Sequence, residues 1–557
     1  YLESVDVSST PVGQPACSPT APCVTFNSKP VHIQAYPHTF KVRTAAGVVA
    51  APTTGAGAVP AAIFIVPHHG PLVKPVDAAT LTTVSVRWTG QEGTTHDLRG
   101  IFGLNTAADV AGAMTALKDF STGAQNFVLA DDQGNIGYDP HALVPYRKYL
   151  ATPNGDGMHF PWLPVTGDGT AEWGATPASC VGANAPTTPD CFLADQYLPQ
   201  GMNPTKGYYF TANADPVGSS DSNNPLATTY LSYDWDDSSG FRATRIEQMI
   251  EATLADHGNV TLEDMQRMQS DHVSRPGAAF VPVLDKLAAA AGSAAPAQVT
   301  AGLQILDQWK ANGYDCPTGL LGTDPKRSPV DPTTTVVQNS SGCFLFHEFL
   351  RTLATNVFTD DLAVVGQGVD GLAAVKAMLY MLTEVAPTNT AAQSFCNDVN
   401  AKGTTTATKT CAQQALTALA TAYGTLSAQL GDPSSWVWGR VHTAQPVSLL
   451  ALVTSGYAPG PYARPGGAFT VDVGNPSLGG AGLSFAYASG SAVRHISVMD
   501  PDMPVTKMQL PGPERDGPTG IPGPDLLGQY VQNQYFDFTL SNTIDANAVS
   551  TQSFQSP

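Results

Sequence analysis

The arrangement of eight cysteines constrains the fold of this 557-residue chain more than any other feature of its sequence. They form four successive local couples: Cys17 with Cys23, Cys180 with Cys191, Cys316 with Cys343, and Cys396 with Cys411. The even number, and the grouping inside loops rich in Pro, Gly and Thr, favour disulfides between neighbours. Metal binding is the alternative, but no couple has C-x-x-C spacing with nearby histidines; free buried thiols are an alternative for one couple. We therefore expect an exported protein with disulfides.

The composition excludes several classes of protein. With 42% hydrophobic and 13% charged residues, the chain can bury a large core over two or more lobes and is not disordered. A net charge of -19 without a basic stripe argues against nucleic acid as a partner. No apolar run reaches the roughly 18 residues that a membrane-spanning helix needs. The first residues, YLESVDVSST, do not resemble a signal peptide, so we expect a soluble, processed protein or one that begins within a longer chain.

Hydrophobic periodicity predicts strands early, helices in the middle and strands again at the end. Predicted elements are two strands within 60–90, a helix over Thr106–Phe120, a hairpin from Phe127 to Ile136 with its turn over Asp132–Gly134, a buried strand before Asn213, a helix over Phe241–Asp256, and a capping box of Thr261 and Asp264. The segments AFTVDV, LSFAYA and VRHISV are predicted as closing strands. The predicted domains are 1–295 and 431–557, two parts of one core, with a helical lobe at 296–430 between them.

Histidines provide the first candidate site. His68 and His69 in PHHGPLV could act as a base or as metal ligands, but no acidic partner is near in sequence, which favours a structural turn. His442 in WGRVH is assigned no role. No G-x-S-x-G nucleophile elbow occurs, so a Ser-His-Asp hydrolase of that kind is not predicted.

Several segments carry a resemblance when they are taken in order. They are QNFVLADDQGNIGY with VPYR at 144–147, PWLPVTGDGTAEWG at 161–174, YYFTANADPVG at 208–218 and GFRATRI at 240–246, followed by WGRVH, ARPGGAFTVDV and SAVRHISVMD. Together they resemble the penicillin acylase family of N-terminal nucleophile (Ntn) amidohydrolases over most of the chain. The resemblance implies an α+β fold, specifically the four-layer αββα sandwich of Ntn hydrolases with an inserted helical lobe. Because the family includes enzymes for acyl-homoserine lactones, cephalosporin side chains and cyclic lipopeptides, it does not select a substrate.

The resemblance also implies catalytic roles for two residues. Asn213 matches the family Asn whose side-chain amide stabilises the oxyanion of an acyl transfer reaction. Without the resemblance, an Asn that makes local turn bonds would be the better interpretation. Arg242 matches an Arg at the start of a helix that orients this Asn and the nucleophile's amino group; a surface Arg is the alternative. Arg245 is expected to pack or to form an ion pair.

The remaining implied sites concern the substrate and a metal. Gln125 matches a position that lines the acyl pocket, or it faces solvent. A structural calcium ion would be held by the carboxylate of Asp221 and the backbone carbonyl of Pro161, both oxygen donors of the type that calcium prefers. The spacing from Asp221 to Arg242 is longer than in the usual family pattern. No organic cofactor is expected.

The first residue of this chain departs from the family pattern. The family nucleophile is an N-terminal Ser, whereas this chain begins with Tyr1, which cannot take that role. We therefore expect a second polypeptide, or a preceding segment, to carry the small chain and the nucleophile strand. The predicted function is that of a periplasmic or extracellular, autoproteolytically processed acylase that cleaves small linear amides. The alternative is a non-catalytic exported binding or structural protein with the same fold.

Overall fold

The structure, a computed structural model, describes most of the chain in two compact units. Described residues are 1–44, 47–53, 58–91, 96–151, 155–161, 163–174, 192–214, 240–385, 389, 393–445, 460–479, 482–501, 505–512 and 526–537. The units are Tyr1–Ser238 and Ser239–Pro557, and each is considered by itself. The predicted boundaries at 295/296 and 430/431 stay predictions.

The first unit is built mainly from short antiparallel strands. They are β1 (Leu2–Asp6), β2 (Cys23–Phe26), β3 (Lys29–His32), β4 (Gln34–Pro37), β5 (Lys41–Thr44), β6 (Gly47–Ala50), β7 (Ala62–Val66), β8 (Gly70–Pro71), β9 (Thr82–Val84), β10 (Phe127–Ala130), β11 (Ile136–Asp139) and β12 (Gly201–Met202). They form sheets in the orders β3-β2-β1-β9, β4-β7-β8 and β10-β11-β12, and β5 and β6 pair with each other as a further two-stranded sheet. The two strands predicted within 60–90 correspond to β7 and β9. In the first of these sheets, Leu2 of β1 pairs with Val84 of β9, and Val5 pairs with Val24 of β2.

The predicted hairpin is confirmed, and its turn explains why the chain reverses there. Asp131 accepts hydrogen bonds from the backbone of Gln133 and Asn135, and Gly134 has the positive φ of 85° that this turn requires. Asp131 also accepts a bond from the backbone of Val110, which joins the hairpin to the start of a helix. The four pairs of the ladder run from Phe127–Asp139 to Ala130–Ile136.

The helix predicted over Thr106–Phe120 is present only in part. The structure has α1 (Asp97–Thr106) and, after a break, α2 (Val110–Leu117). The break occurs because Asp109 caps α2: its carboxylate accepts a hydrogen bond from the backbone N–H of Gly112. The predicted helical periodicity is correct from Val110 onward. Thr106 instead ends α1, and Asp109 starts a new helix as the N-cap of α2.

The second unit is mostly helical up to residue 430. Its helices are α3 (Phe241–His257), α4 (Leu262–Gln269), α5 (Arg275–Ala291), α6 (Ala297–Ala311), α7 (Thr334–Val364), α8 (Ala374–Thr383), α9 (Cys411–Leu430) and α10 (Leu526–Val531). The predicted α3 helix and the capping box of Thr261 with Asp264 are confirmed. The middle of α7 is buried on all sides and packs against α6 and α9, so α7 forms the centre of the core.

Short strands complete the second unit. They are β13 (Asp398–Val399), β14 (Thr405–Ala407), β15 (Thr443–Ala444), β16 (Tyr462–Ala463), β17 (Gly474–Pro476), β18 (Tyr487–Gly490), β19 (Arg494–Val498), β20 (Val505–Gln509) and β21 (Phe536–Asp537). The strand predicted at VRHISV is β19, and LSFAYA enters a strand only at Tyr487. The strand predicted at AFTVDV is wrong: Phe469 has a φ of +58°, and the Thr470 hydroxyl bonds to the backbone of Gly467 and Asp472, which closes a turn.

Three of the four predicted disulfides are present in the described residues. They join Cys17 to Cys23, Cys316 to Cys343 and Cys396 to Cys411. The couple Cys180 and Cys191 lies outside the described residues. Among the helices that the structure describes, none has the length and apolar character to cross a membrane. The mixture of helices and antiparallel strands gives an α+β protein, and the four-layer αββα arrangement stays a prediction.

Candidate functional site

Asn213 lies at the end of an aromatic segment of the first unit. The strand predicted there is wrong, since the described residues up to 214 form no ladder after β12, which occupies the edge of β11. Side chains hold the segment instead: the rings of Tyr138 and Tyr209 stack with their centroids 5.8 Å apart, and the Lys206 ammonium lies 4.6 Å from the ring of Tyr208.

The backbone at Asn213 has a conformation that few residue types accept. Its φ is +54°, in the left-handed region that Asn tolerates better than most side chains do. The residue is exposed while the preceding Ala212 is buried. The side chain of Asn213 can donate two hydrogen bonds from its amide nitrogen, as the predicted oxyanion role requires. This role stays a prediction.

Gln125, Pro161 and Asp221 are the residues of the first unit predicted to line a pocket or to bind calcium. Gln125 is exposed in the loop before β10, which fits the solvent-facing alternative as well as a place at a pocket rim. Pro161 is half-buried in a turn, and Asp221 lies outside the described residues. Of the described carboxylates near Pro161 in sequence, Asp156 bonds to His159 and Asp168 bonds to Thr170. The described residues therefore do not by themselves form a calcium site, and the calcium ion stays a prediction.

Arg242 lies in the second unit, in the first turn of α3, and is half-buried. Gly240, with a φ of +69°, begins this helix without a side-chain cap. One turn further on, Arg245 makes a two-pronged ion pair with Asp271, with N–O distances of 3.0 and 2.6 Å. The expectation that Arg245 packs or pairs is confirmed, and the role predicted for Arg242 stays open.

A buried carboxylate–histidine cluster of Glu3, His69 and Glu172 lies in the first unit. Nδ1 of His69 is 2.6 Å from Glu3, and Nε2 is 2.7 Å from Glu172. Glu3 and His69 are completely buried. Burial alone would lower the pKa of His69, but its hydrogen bonds to the two carboxylates outweigh this and raise it. Burial would likewise raise the pKa of Glu3, but the bonds from His69 and Ser85 lower it.

Neighbouring side chains fix the orientation of this cluster. The ring of Tyr1 stacks on His69 with centroids 3.7 Å apart, and Ser85 donates a hydrogen bond of 2.6 Å to Glu3. Arg87 lies 3.5 Å from Glu172 and stacks over the ring of Trp173. Sequence analysis missed the cluster because Glu3 and Glu172 lie 66 and 103 positions from His69, where no local pattern connects them.

A second ion cluster is buried in the second unit, around Asp472. Its carboxylate receives two hydrogen bonds from Arg464, one from Arg494 and one, at 2.9 Å, from His272. Burial would raise the pKa of Asp472, but the charge of Arg464 and the hydrogen bonds from His272 and Arg464 hold it well below its usual range. His272 follows α4 and Arg494 lies in β19, so the carboxylate of Asp472 links these two elements.

Two further histidines of the second unit are structural. His442 is fully buried, stacks on Trp438 at 4.7 Å, and bonds through Nδ1 to the carbonyl of Arg464. Burial lowers its pKa to about 3. His347 also stacks on the Trp438 indole, at 4.6 Å, and burial lowers its pKa to about 4. Both imidazoles are therefore neutral near pH 7, as parts of an aromatic core.

Comparisons with known proteins agree with the sequence motifs. A family model described as penicillin amidase matches residues 16–543. Among solved structures, the chain is similar to a thermostable penicillin G acylase from Alcaligenes faecalis, with 16% sequence identity and a TM-score of 0.57. That match covers 100% of this chain and 85% of the other, and it shows a common fold. A search of curated protein sequences finds no match.

Proposed function

Because the chain belongs to the penicillin amidase family, we propose that it is an exported amidohydrolase that cleaves a linear amide between an acyl group and a polar amine. The family match over residues 16–543 is the observation that carries this proposal. The substrate is a small molecule, and neither its acyl chain nor its amine follows from the residues described above.

The proposed reaction proceeds through an acyl-enzyme on an N-terminal Ser from a segment or chain outside this sequence. The Ser hydroxyl attacks the amide carbon while the α-amino group of the same residue accepts the hydroxyl proton. The C–N bond then breaks, and the leaving amine takes up that proton. Water, activated by the same amino group, hydrolyses the ester and releases the acid. In this scheme the present chain contributes supporting groups rather than the nucleophile.

Asn213 is the proposed oxyanion donor. During the attack, negative charge develops on the carbonyl oxygen, and a donor whose position is already fixed stabilises it without further reorganisation. Two observations support Asn213: its backbone holds a restricted left-handed conformation, and its exposed side chain can reach a bound molecule. Loss of one such donor typically lowers kcat by about 100- to 1,000-fold.

Arg242 is proposed as a positioning residue for the amino group. A guanidinium near an amine lowers the pKa of that amine, because the neutral form is favoured beside a positive charge. The amine would then be available as a base near neutral pH. The half-buried position of Arg242 in the first turn of α3 supports a specific role, since a cation gains nothing from the helix dipole there.

The remaining parts of the proposal concern location, metal and partner. Three disulfides among the described residues support an oxidising compartment, either periplasmic or extracellular. A structural calcium ion bound by Asp221 and the Pro161 carbonyl, and a pocket position for Gln125, are proposed on the resemblance alone. The proposed partner is a second polypeptide that carries the nucleophile strand, produced by autoproteolytic processing.

The first experiment identifies every polypeptide in the purified protein. Native and denaturing mass spectrometry with N-terminal sequencing should reveal a partner that begins with Ser, Thr or Cys, and the preparation should hydrolyse a chromogenic acyl-anilide. The variant Asn213→Gly should then lose about 100- to 1,000-fold in kcat with little change in stability, because Gly accepts the same backbone conformation.

A matched control separates catalysis from backbone conformation. Asn203 also has a positive φ, +48°, and its side-chain amide donates a hydrogen bond to Asn135 in the β10–β11 hairpin rather than facing a substrate. The variant Asn203→Gly should therefore keep its kcat. Equal losses in both variants would contradict the oxyanion role of Asn213. A folded chain without a partner and without turnover would instead favour the non-catalytic binding protein.

A further inference from the structure

We propose that Glu3, His68 and His69 form a binding site for one divalent transition-metal ion of the zinc type. One ligand-forming atom from each of the three lies within 4.8 Å of the others. Two imidazoles and one carboxylate are a donor set that suits Zn²⁺ and similar ions. The proposal uses none of the residues proposed above for calcium or for catalysis.

Two buried atoms that could bind a metal ion have no hydrogen-bond partner among the described residues, and this points to a ligand. Glu3 is completely buried, yet its Oε2 has no hydrogen-bond partner among the residues that the structure describes. The same holds for the buried Nε2 of His68. A buried polar atom without a partner carries a desolvation penalty, which a metal ion at this place would remove.

The carboxylate of Glu3 approaches the backbone of Gly167 closely, at a position where only glycine fits. A Cβ atom added to Gly167 would lie 2.3 Å from Oε2 of Glu3, so any larger residue would collide with the carboxylate. The ring centroids of His68 and His69 are 4.3 Å apart, and the ring of Phe26 lies against that of His68 at 3.8 Å, tilted by 31°. These contacts limit the rotation of both imidazoles and hold them beside Glu3.

The surroundings of the three residues have the features of an outer ligand shell. Metal-binding histidines usually donate their second ring N–H to a carboxylate, and ligating carboxylates usually accept further hydrogen bonds. Glu172 lies 2.7 Å from Nε2 of His69, and Ser85 donates to Glu3. With Nε2 held by Glu172, Nδ1 of His69 is the nitrogen that faces Glu3.

Small movements would convert this arrangement into a metal site. Ligands in a tetrahedral zinc site lie about 2.0 to 2.2 Å from the ion, hence about 3.4 Å from one another. The contact of 2.6 Å between Glu3 and His69 would open slightly, while the ligand atom of His68 lies within 4.8 Å of both. Three protein ligands leave a fourth position for water.

Metal titration of the intact protein tests the proposal. The purified chain, with any polypeptide that co-purifies, is treated with a chelator, dialysed and titrated with ZnCl₂ by calorimetry, and the stoichiometry is checked by native mass spectrometry. One equivalent of Zn²⁺ should bind and raise the melting temperature. Co²⁺ in its place should give the absorption spectrum of a site with nitrogen and oxygen ligands.

Variants distinguish this site from other histidines on the surface. The variant His68→Gln should no longer bind the one equivalent of Zn²⁺. The variant His38→Gln, at an exposed histidine of the same unit, should still bind it. Glu172→Gln, outside the ligand set, should weaken binding by about 10- to 100-fold. No zinc bound by the native protein, or equal affinity in the native protein and His68→Gln, would overturn the proposal; the native stoichiometry gives this answer even if a variant fails to fold.

Discussion

The carboxyl group of Asp139 offers a quantitative test of the electrostatics of the first unit. Asp139 ends β11, is only 2% exposed, and its Oδ1 has no hydrogen-bond partner among the described residues. Burial raises its pKa from the usual 3.8 to about 6, while nearby His141 and Lys118 lower it and Asp195 raises it. The folded protein therefore holds this proton at pH values where the unfolded chain has released it.

The sign of the effect follows from proton linkage. Between about pH 4 and pH 6 the folded state binds more protons than the unfolded state, so stability falls as the pH rises through this range. Above about pH 6 the carboxylate is ionised in both states, and the full cost of burying its charge remains. A pKa change from 3.8 to about 6 corresponds to about 3 kcal/mol, and solvent screening reduces the expected cost to about 1 to 2 kcal/mol.

The variant Asp139→Asn should remove this cost while keeping the shape of the side chain. We expect the variant to be stabilised relative to the native protein, with a free energy of unfolding that is higher by about 1 to 2 kcal/mol more at pH 8 than at pH 4. Urea unfolding followed by circular dichroism at both pH values measures the difference. Asp132→Asn, at an exposed carboxylate of the same hairpin, is the matched control and should show no such change. If the difference in stability between Asp139→Asn and the native protein is the same at pH 4 and pH 8, the reasoning is refuted.

Two further predictions concern the second unit. Asp472→Asn should destabilise the protein by about 3 to 5 kcal/mol in chemical denaturation, because Arg464 and Arg494 would keep buried charges without their carboxylate; a loss below about 1 kcal/mol would contradict this view. Replacing both Cys316 and Cys343 by Ala should cost about 3 to 4 kcal/mol, as expected for a loop closed over a sequence separation of 27. This difference in stability between the double cysteine variant and the native protein should disappear under reducing conditions, where neither has the disulfide.

Local sequence signals predicted local structure well. The hairpin around Asp131, the capping box of Thr261 and the amphipathic α3 helix were all correct, since each depends on residues within one or two turns of chain. Within the described residues, three of the predicted cysteine couples are paired as predicted. The family resemblance, which relied on the order of several motifs, is confirmed by the family match.

Predictions failed where distant side chains determine the backbone. AFTVDV has the alternation of a strand, yet Asp472 within it is drawn into the ion cluster by Arg464 and Arg494. The aromatic run before Asn213 looks like a buried strand, but it packs through its rings while β12 takes the available sheet edge. His69 does lie in the turn between β7 and β8, as predicted, but its carboxylate partners were missed because both are remote in sequence.

The exposure of Asn213 places a physical requirement on the proposed chemistry. A hydrogen bond from an exposed amide competes with water, so it stabilises an oxyanion far less than the same bond in a site that excludes water. The expected loss of about 100- to 1,000-fold on removing Asn213 therefore presupposes that substrate and nucleophile together cover its side chain. A restricted backbone contributes to this requirement, because the left-handed conformation fixes the Cα–Cβ bond from which the amide extends. An oxyanion donor at this position would thus depend for its strength on the proposed partner polypeptide, which would have to exclude water from the Asn213 amide.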